Sequence, residues 1–183
     1  MNGQWQSIAR RIRVPMGFLI AALFLLLARP SVRSLQGSLL LVIPGIVLRC
    51  YASGFVKKDA ELTVTGPYAY TRNPLYLGSI LIALGFALAS RSPTIALTLA
   101  AFFFVIYVPV IRAEEAFLRS AFPQFEAYCQ HVPRLFPRLA QARHGTDSGR
   151  FSLALYSQHR EYNALLGAIS IYAALVLRMH LRS

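Results

Sequence analysis

Two carboxylates, Glu114 and Glu115, follow directly on a long apolar run, with Arg112 just before them and Arg119 just after. Acids at or near membrane depth are costly to desolvate and are retained where they do work on a proton, a cation or an arginine. The chain has only seven acids, and two of them stand here. The plainer reading is flanking charge in water, with Glu115 and Arg119 as an i,i+4 pair worth ~0.3 kcal/mol. A second concentration runs from Leu62 to Gly78. Gly66-Pro67 signals a turn, Asn73 suits a helix N-cap, and Pro74 suits the first helical position. The N–H groups free at such a helix start attract a carboxylate or phosphate, and Arg72 stands beside them. Tyr68, Tyr70 and Tyr76 are either an interfacial aromatic belt or ring faces turned to a cation. A third segment begins at Pro123. There Phe125, Tyr128, Cys129 and Val132 follow the i, i+3, i+4, i+7 pattern of an amphipathic helix packed down on a bundle. The exit Val132-Pro133-Arg134-Leu135-Phe136-Pro137 is stiff and would hold a returning segment over a site.

The elements that must position these residues are apolar spans. Of 183 residues, 56% are hydrophobic and 14% charged, whereas a soluble domain is roughly 45–50% apolar and ~25% charged. The expected architecture is all-α: an integral membrane bundle of about five transmembrane helices, forming one domain over residues 1–183. The first span is Val14 to Ala28, after Arg10, Arg11 and Arg13. The second is Leu35 to Gly54, with a kink expected at Pro44-Gly45. Leu75 to Ser90 and Thr94 to Ile111 are joined only by Arg91-Ser92-Pro93, so segments 75–90 and 94–111 form a tight helical hairpin. An additional C-terminal span covers about 162–177. A chain of this size has no room for a separate catalytic domain, so a site must be built from helix ends and loops.

The formal net charge is +12. The basic residues flank apolar blocks rather than forming a stripe interleaved with aromatics, which argues for membrane sidedness and against nucleic acid. One side collects Arg10, Arg11, Arg13, Lys57, Lys58, Arg72 and the group from Arg112 to Arg160. The other collects Arg29, Arg33, Arg91, Arg178 and Arg182. The richer side, with the N-terminus and both long polar segments, is expected to be cytoplasmic. Cys50 and Cys129 make no CxxC pair, and His131, His144, His159 and His180 lack ligand spacing, so no metal site is expected.

Taken together, the three segments resemble the isoprenylcysteine carboxyl methyltransferases and the related phospholipid N-methyltransferases. That pattern is G-x-Y-x-x-x-R-H-P-x-Y-x-G, a span hairpin, E-E-x-x-L, F-G-x-x-Y-x-x-Y and V-P-R. Here it reads Gly66-Pro67-Tyr68, Arg72-Asn73-Pro74-Leu75-Tyr76-Leu77-Gly78, Glu114-Glu115-Ala116-Phe117-Leu118, Phe122-Pro123-Gln124-Phe125-Glu126-Ala127-Tyr128 and Val132-Pro133-Arg134. The match covers roughly residues 50–138. Asn73 replaces the motif histidine; it still donates a hydrogen bond but carries no charge. Pro123 replaces a glycine.

The resemblance implies S-adenosylmethionine as cofactor, in a pocket at the cytoplasmic helix ends lined by Leu62, Thr63, Tyr68, Asn73, Pro74, Leu75 and Tyr76. Glu114 or Glu115 would hold its amino group or ribose, and Arg112 or Arg72 would face the acceptor's anionic group. The implied activity is methyl transfer to a lipid-like or prenylated acceptor, most like carboxyl methylation of an isoprenylcysteine-type substrate. The alternatives are methylation of a phospholipid amine or a small thiol, and, in another class, an inactive membrane scaffold or ligand-binding protein.

Overall fold

The computed structural model describes residues 15–16, 18–57, 61–140 and 149–181. Arg10, Arg11, Arg13, Val14, Lys58, His144 and Arg182 lie outside them. Most of the described residues are helical, and none of them forms a strand. Helix α1 covers Phe18–Leu27 and α2 covers Val32–Ser53. A 3-10 turn at Gly66–Ala69 leads to α3, Pro74–Ser90. Then come α4, Pro93–Phe102, and α5, Val108–Ala121. Short α6 (Phe125–His131) and α7 (Leu153–Gln158) precede α8, Tyr162–His180.

Local chemistry sets these boundaries. Ser31 and Ser34 form a reciprocal capping box at the start of α2, satisfying N–H groups that the helix itself leaves open. Arg91 takes a left-handed conformation (φ 52°) that ends α3, and the Ser92 hydroxyl accepts from Ile95 N to open α4. The Arg91-Ser92-Pro93 turn is thus a true hairpin. Its second arm is longer than the sequence suggested. α4 and α5 join through a wider, π-helical stretch at Phe103–Tyr107 into one rod, Pro93–Ala121, of 29 residues. Pro109 lies just beyond that stretch; it has no N–H to give to the helical ladder, and the ladder widens before it. The rod carries Glu114 and Glu115 on an unbroken helix out of the apolar region. α2 also runs through Pro44 without interruption.

Val32–Ser53, Pro93–Ala121 and Tyr162–His180 are long and apolar enough to cross a membrane; Phe18–Leu27 and Pro74–Ser90 are shorter. At 17 residues, α3 reaches ~26 Å, a little under the ~30 Å of a bilayer's hydrocarbon. Large apolar side chains face outward along these helices, among them Leu40, Leu97 and Leu177. That is the pattern of a lipid-facing surface.

α2 and α3 approach most closely where both have glycine. A Cβ on Gly78 would sit 2.7 Å from the Gly45 carbonyl oxygen and 2.6 Å from Arg49 Cγ. Around this seam, Phe24, Ala28, Leu35, Val42, Phe86, Ala89, Ile95, Ala168 and Leu175 form the core. One end of the bundle gathers the α1–α2 and α3–α4 turns and the end of α8: Arg29 N donates to Ser90 O (2.9 Å) and Arg178 Nε to Ala28 O (2.9 Å). The opposite end holds the 55–73 and 122–140 segments, which build the site.

Candidate functional site

The 3-10 turn exists because Gly66 adopts φ +58°, a conformation open to glycine, and because Pro67 starts the turn. It buries Tyr68 against Ala52 and Phe55, with Leu75 alongside. Helix α6 packs Phe125, Tyr128 and Val132 onto Leu62, Val64, Leu118, Phe122 and Cys129. The Tyr128 hydroxyl donates to the Tyr68 carbonyl at 2.6 Å. Burial pushes the Tyr68 and Tyr128 phenols well above their ordinary range, so both stay neutral and act as packing and hydrogen-bonding groups.

The segment after α6 folds back along residues 70–73. Arg72 N donates to Pro133 O (2.9 Å), Arg138 N to Tyr70 O (3.0 Å), and the Thr71 hydroxyl to Leu135 O (3.0 Å). This carries Arg134 over α5. Glu115 is only 4% exposed. Its carboxylate receives a two-point grip from Arg134, Nη2 to Oε2 at 2.6 Å and Nε to Oε1 at 3.0 Å. Arg72 Nη1 lies 3.6 Å from Oε1, and Asn73 Nδ2 donates to the same oxygen at 3.4 Å and to Arg134 O at 2.9 Å. Arg72 also reaches the Cys129 sulfur, while its buried Nε has no hydrogen-bond acceptor.

The flanking-charge alternative does not hold for Glu115: it does not pair with Arg119, whose Nε donates to Glu126 Oε2 at 2.8 Å and whose guanidinium lies over the Phe125 ring. Asn73 occupies the N-cap position of α3 but makes no capping bond, because its amide bridges Glu115 and the Arg134 carbonyl.

Glu114, next along α5, is exposed and accepts from the Tyr76 hydroxyl at 2.9 Å. The Tyr76 ring meets Tyr107 edge to face at 5.7 Å. The fold thus brings Arg72, Asn73, Glu115 and Arg134 together, and Tyr76 with Glu114. Arg112 is exposed, just before the glutamates on α5. Pro74 is buried at the α3 start, and the Leu75 carbonyl accepts from Arg49 (3.2 Å). Leu62 belongs to the apolar cluster under α6, and the Thr63 hydroxyl donates to Phe55 O (3.5 Å). The three tyrosines do not share one face: Tyr68 is buried, Tyr70 is exposed, and Tyr76 turns to Glu114.

Arg134 was present in the V-P-R motif but was not singled out for a role. Arg49 and Glu161 were also missed. They form a two-point pair, Nε to Oε2 and Nη2 to Oε1 both at 3.0 Å, that ties α2 to the start of α8; Arg49 also bonds the Ser79 hydroxyl. An arginine inside an apolar block was the available signal. An apolar groove of about 500 Å³ lies on the same end of the fold, lined by Leu48, Tyr51, Gly66, Pro67, Tyr70, Thr71, Leu77 and Pro137.

Residues 38–124, just under half of the chain, match the family model described as phospholipid methyltransferase. The resemblance carried by the Leu62–Gly78 and Glu114–Leu118 motifs is therefore shown over that segment. The cobalt-zinc-cadmium resistance protein CzcN of Cupriavidus metallidurans is 41% identical over 93 residues, 51% of this chain and 42% of that protein. The nickel-cobalt-cadmium resistance protein NccN of Alcaligenes xylosoxydans xylosoxydans is 40% identical over 93 residues, 51% of this chain and 43% of that protein. The matches thus span less than half the length of these curated relatives. No solved structure matches at the significance these relatives reach.

Proposed function

We propose, taking residues 38–124 as a segment of the phospholipid methyltransferase family, that the protein transfers a methyl group from S-adenosylmethionine to a lipophilic acceptor at the cytoplasmic face of a membrane. The observation that carries this reading is the convergence of three motif segments on one carboxylate: Arg72-Asn73, Glu115 and Arg134 are far apart in sequence and meet within hydrogen-bonding and ion-pairing distance.

S-adenosylmethionine, when bound, supplies a methyl group already activated on a sulfonium. The residues present suit such a molecule: an exposed carboxylate with a tyrosine hydroxyl on it, Glu114 with Tyr76, and two arginines on one buried carboxylate, Glu115. Glu114 would hold the cofactor's ammonium or ribose hydroxyls, and the Tyr76 and Tyr107 rings would border its cationic end. Asn73, Pro74 and Leu75 would shape the wall at the α3 start, and Leu62, Thr63 and Tyr68 would support it from below. Arg112 or Arg72 would face the acceptor's anionic group. Aligning the two reactants and excluding water can supply roughly 7–11 kcal/mol of the barrier, so the protein's main task is placement.

A carboxylate acceptor, as in an isoprenylcysteine-type substrate, is ionised at neutral pH and needs no base. An amine acceptor, as in a phospholipid headgroup, must first lose a proton, and the exposed Glu114 is the candidate to take it. The apolar groove beside Tyr51 and Leu77 gives a greasy tail a place at the same end of the bundle. The test is transfer of label from methyl-labelled cofactor, by purified protein in lipid nanodiscs, to a prenylated cysteine and to phosphatidylethanolamine. Label in either product supports the reading and assigns the acceptor. Label in neither, nor in the nanodisc lipids, counts against it.

A further inference from the structure

We propose that Arg72 and Arg134 form a two-guanidinium clamp for an anion, and that the adjacent glutamates have separate tasks: Glu115 positions the clamp, and Glu114 meets the ligand. The anion is a carboxylate or phosphate group, from either the cofactor's amino-acid end or the acceptor. The proposal deepens the methyltransferase reading and rests on it only for naming the first of these sources.

Glu115 is poorly placed to hold a ligand cation. It is almost fully buried, and both its oxygens are taken by protein donors. A cation could reach it only by displacing an arginine that grips it at two points. The balance of charge runs the other way. Two guanidiniums face one carboxylate, leaving one positive charge over in a partly desolvated cluster, where an anion gains more than it would in water. Arg72 is also short of partners. Its buried Nε has no acceptor, and a nitrogen at its far end rests on a sulfur, a weak acceptor.

The clamp opens outward through Arg134, whose side chain is 51% exposed although one edge is fixed to Glu115. A planar guanidinium held by one edge presents its remaining donors in a fixed direction, which suits two-point recognition of carboxylate or phosphate. The segment between Pro133 and Pro137 is held on residues 70–73 by backbone and side-chain bonds, so Arg134 is placed before any ligand arrives. The exchange of histidine for asparagine at position 73 fits this arrangement. Its amide donates to Glu115 and to the Arg134 carbonyl at once and adds no third positive charge.

The test compares ligands with and without the carboxylate, by calorimetric titration of the detergent-purified protein. Arg134→Gln is expected to weaken S-adenosylhomocysteine binding about tenfold or more, while 5′-methylthioadenosine, which lacks the amino-acid carboxylate, binds as before. Glu115→Gln, which keeps the side chain's shape, should give the same split through the loosened arginines, and Arg134→Lys should recover part of the loss. A second arm measures retention of phosphatidic acid against uncharged diacylglycerol. Selective loss of phosphatidic acid, with S-adenosylhomocysteine unchanged, assigns the clamp to the acceptor. Equal weakening of both nucleosides, or no effect in either arm, overturns the proposal. If the wild-type protein binds neither nucleoside, the cofactor assignment fails by itself, and the phosphatidic acid arm alone decides the clamp.

Discussion

Replacing Glu115 by alanine is expected to leave Arg72 and Arg134 facing each other with no counter-charge, and to weaken S-adenosylhomocysteine binding more than about tenfold. Tyr76→Ala, which strips the hydroxyl from Glu114 and the ring from Tyr107, is expected to have an effect of similar size through the ligand-facing carboxylate. Titration of each purified variant checks both, and wild-type affinity in the two would remove these residues from the site. The residue types at this scale were legible in the sequence. Two adjacent acids at the end of an apolar run, and an arginine before an Asn-Pro helix start, both stand out. Their partners were not. The plainer alternative pairs Glu115 with Arg119 one helical turn away, but Arg119 bonds Glu126 instead. The arginine that does pair with Glu115 arrives from a segment 19 residues on, and helix periodicity does not reach across such a fold-back. The Asn73 amide was expected to cap α3, as local preference favours, and was drawn instead to a charged acceptor.

Each element is held by a few contacts that a single change can break. Gly78→Ala would put a methyl group 2.7 Å from the Gly45 carbonyl oxygen. Backbone cannot yield as a flexible side chain can, so α2 and α3 must separate and the start of α3, which carries Tyr76, must move. A clear fall in the unfolding temperature in detergent is expected, by several degrees, from a loss of roughly 1–3 kcal/mol. Glu161→Gln leaves Arg49 without its counter-ion. Breaking such a largely buried pair costs on the order of 3 kcal/mol, and protease accessibility of the α7–α8 segment should rise with it. The positions of the apolar helices, and the turn between α3 and α4, were readable from hydropathy and from Arg91-Ser92-Pro93; that all of them span a membrane was not, since three are long enough to do so. The length of the second arm was not: the hydropathic signal stops near Ile111, whereas the backbone ladder continues to Ala121, because helices do not end where polarity begins.

For the whole molecule, the ends of α1, α3 and α8 meet at one pole, which brings Arg29, Arg91 and Arg178 to the same end. The site segments fill the other. We expect that pole to face the cytoplasm. A single cysteine placed at the fully exposed Leu139, in a chain with Cys50 and Cys129 replaced, should react with a membrane-impermeant maleimide only in inside-out vesicles, and one at Arg91 only in right-side-out vesicles. The reverse pattern would place the site outside. Alkali should also loosen the site-bearing pole. The Tyr68 and Tyr128 phenols are raised by burial above the ordinary value of 10.0, so the folded protein holds their protons more tightly than the unfolded chain does. Their contribution is intact below pH 10 and is lost as pH rises beyond it. Thermal unfolding followed from pH 8 to 11 should show an added loss of stability above pH 10.

A methyl donor is expected to bind at this pole. The most direct test is calorimetric titration of the folded, detergent-purified protein with S-adenosylmethionine and S-adenosylhomocysteine. Saturable binding of both at a single site, weakened by Glu115→Ala, is the expected result. A folded protein that takes up neither would contradict the account and leave the clustered charges of Arg72, Glu115 and Arg134 as a structural joint in a membrane scaffold.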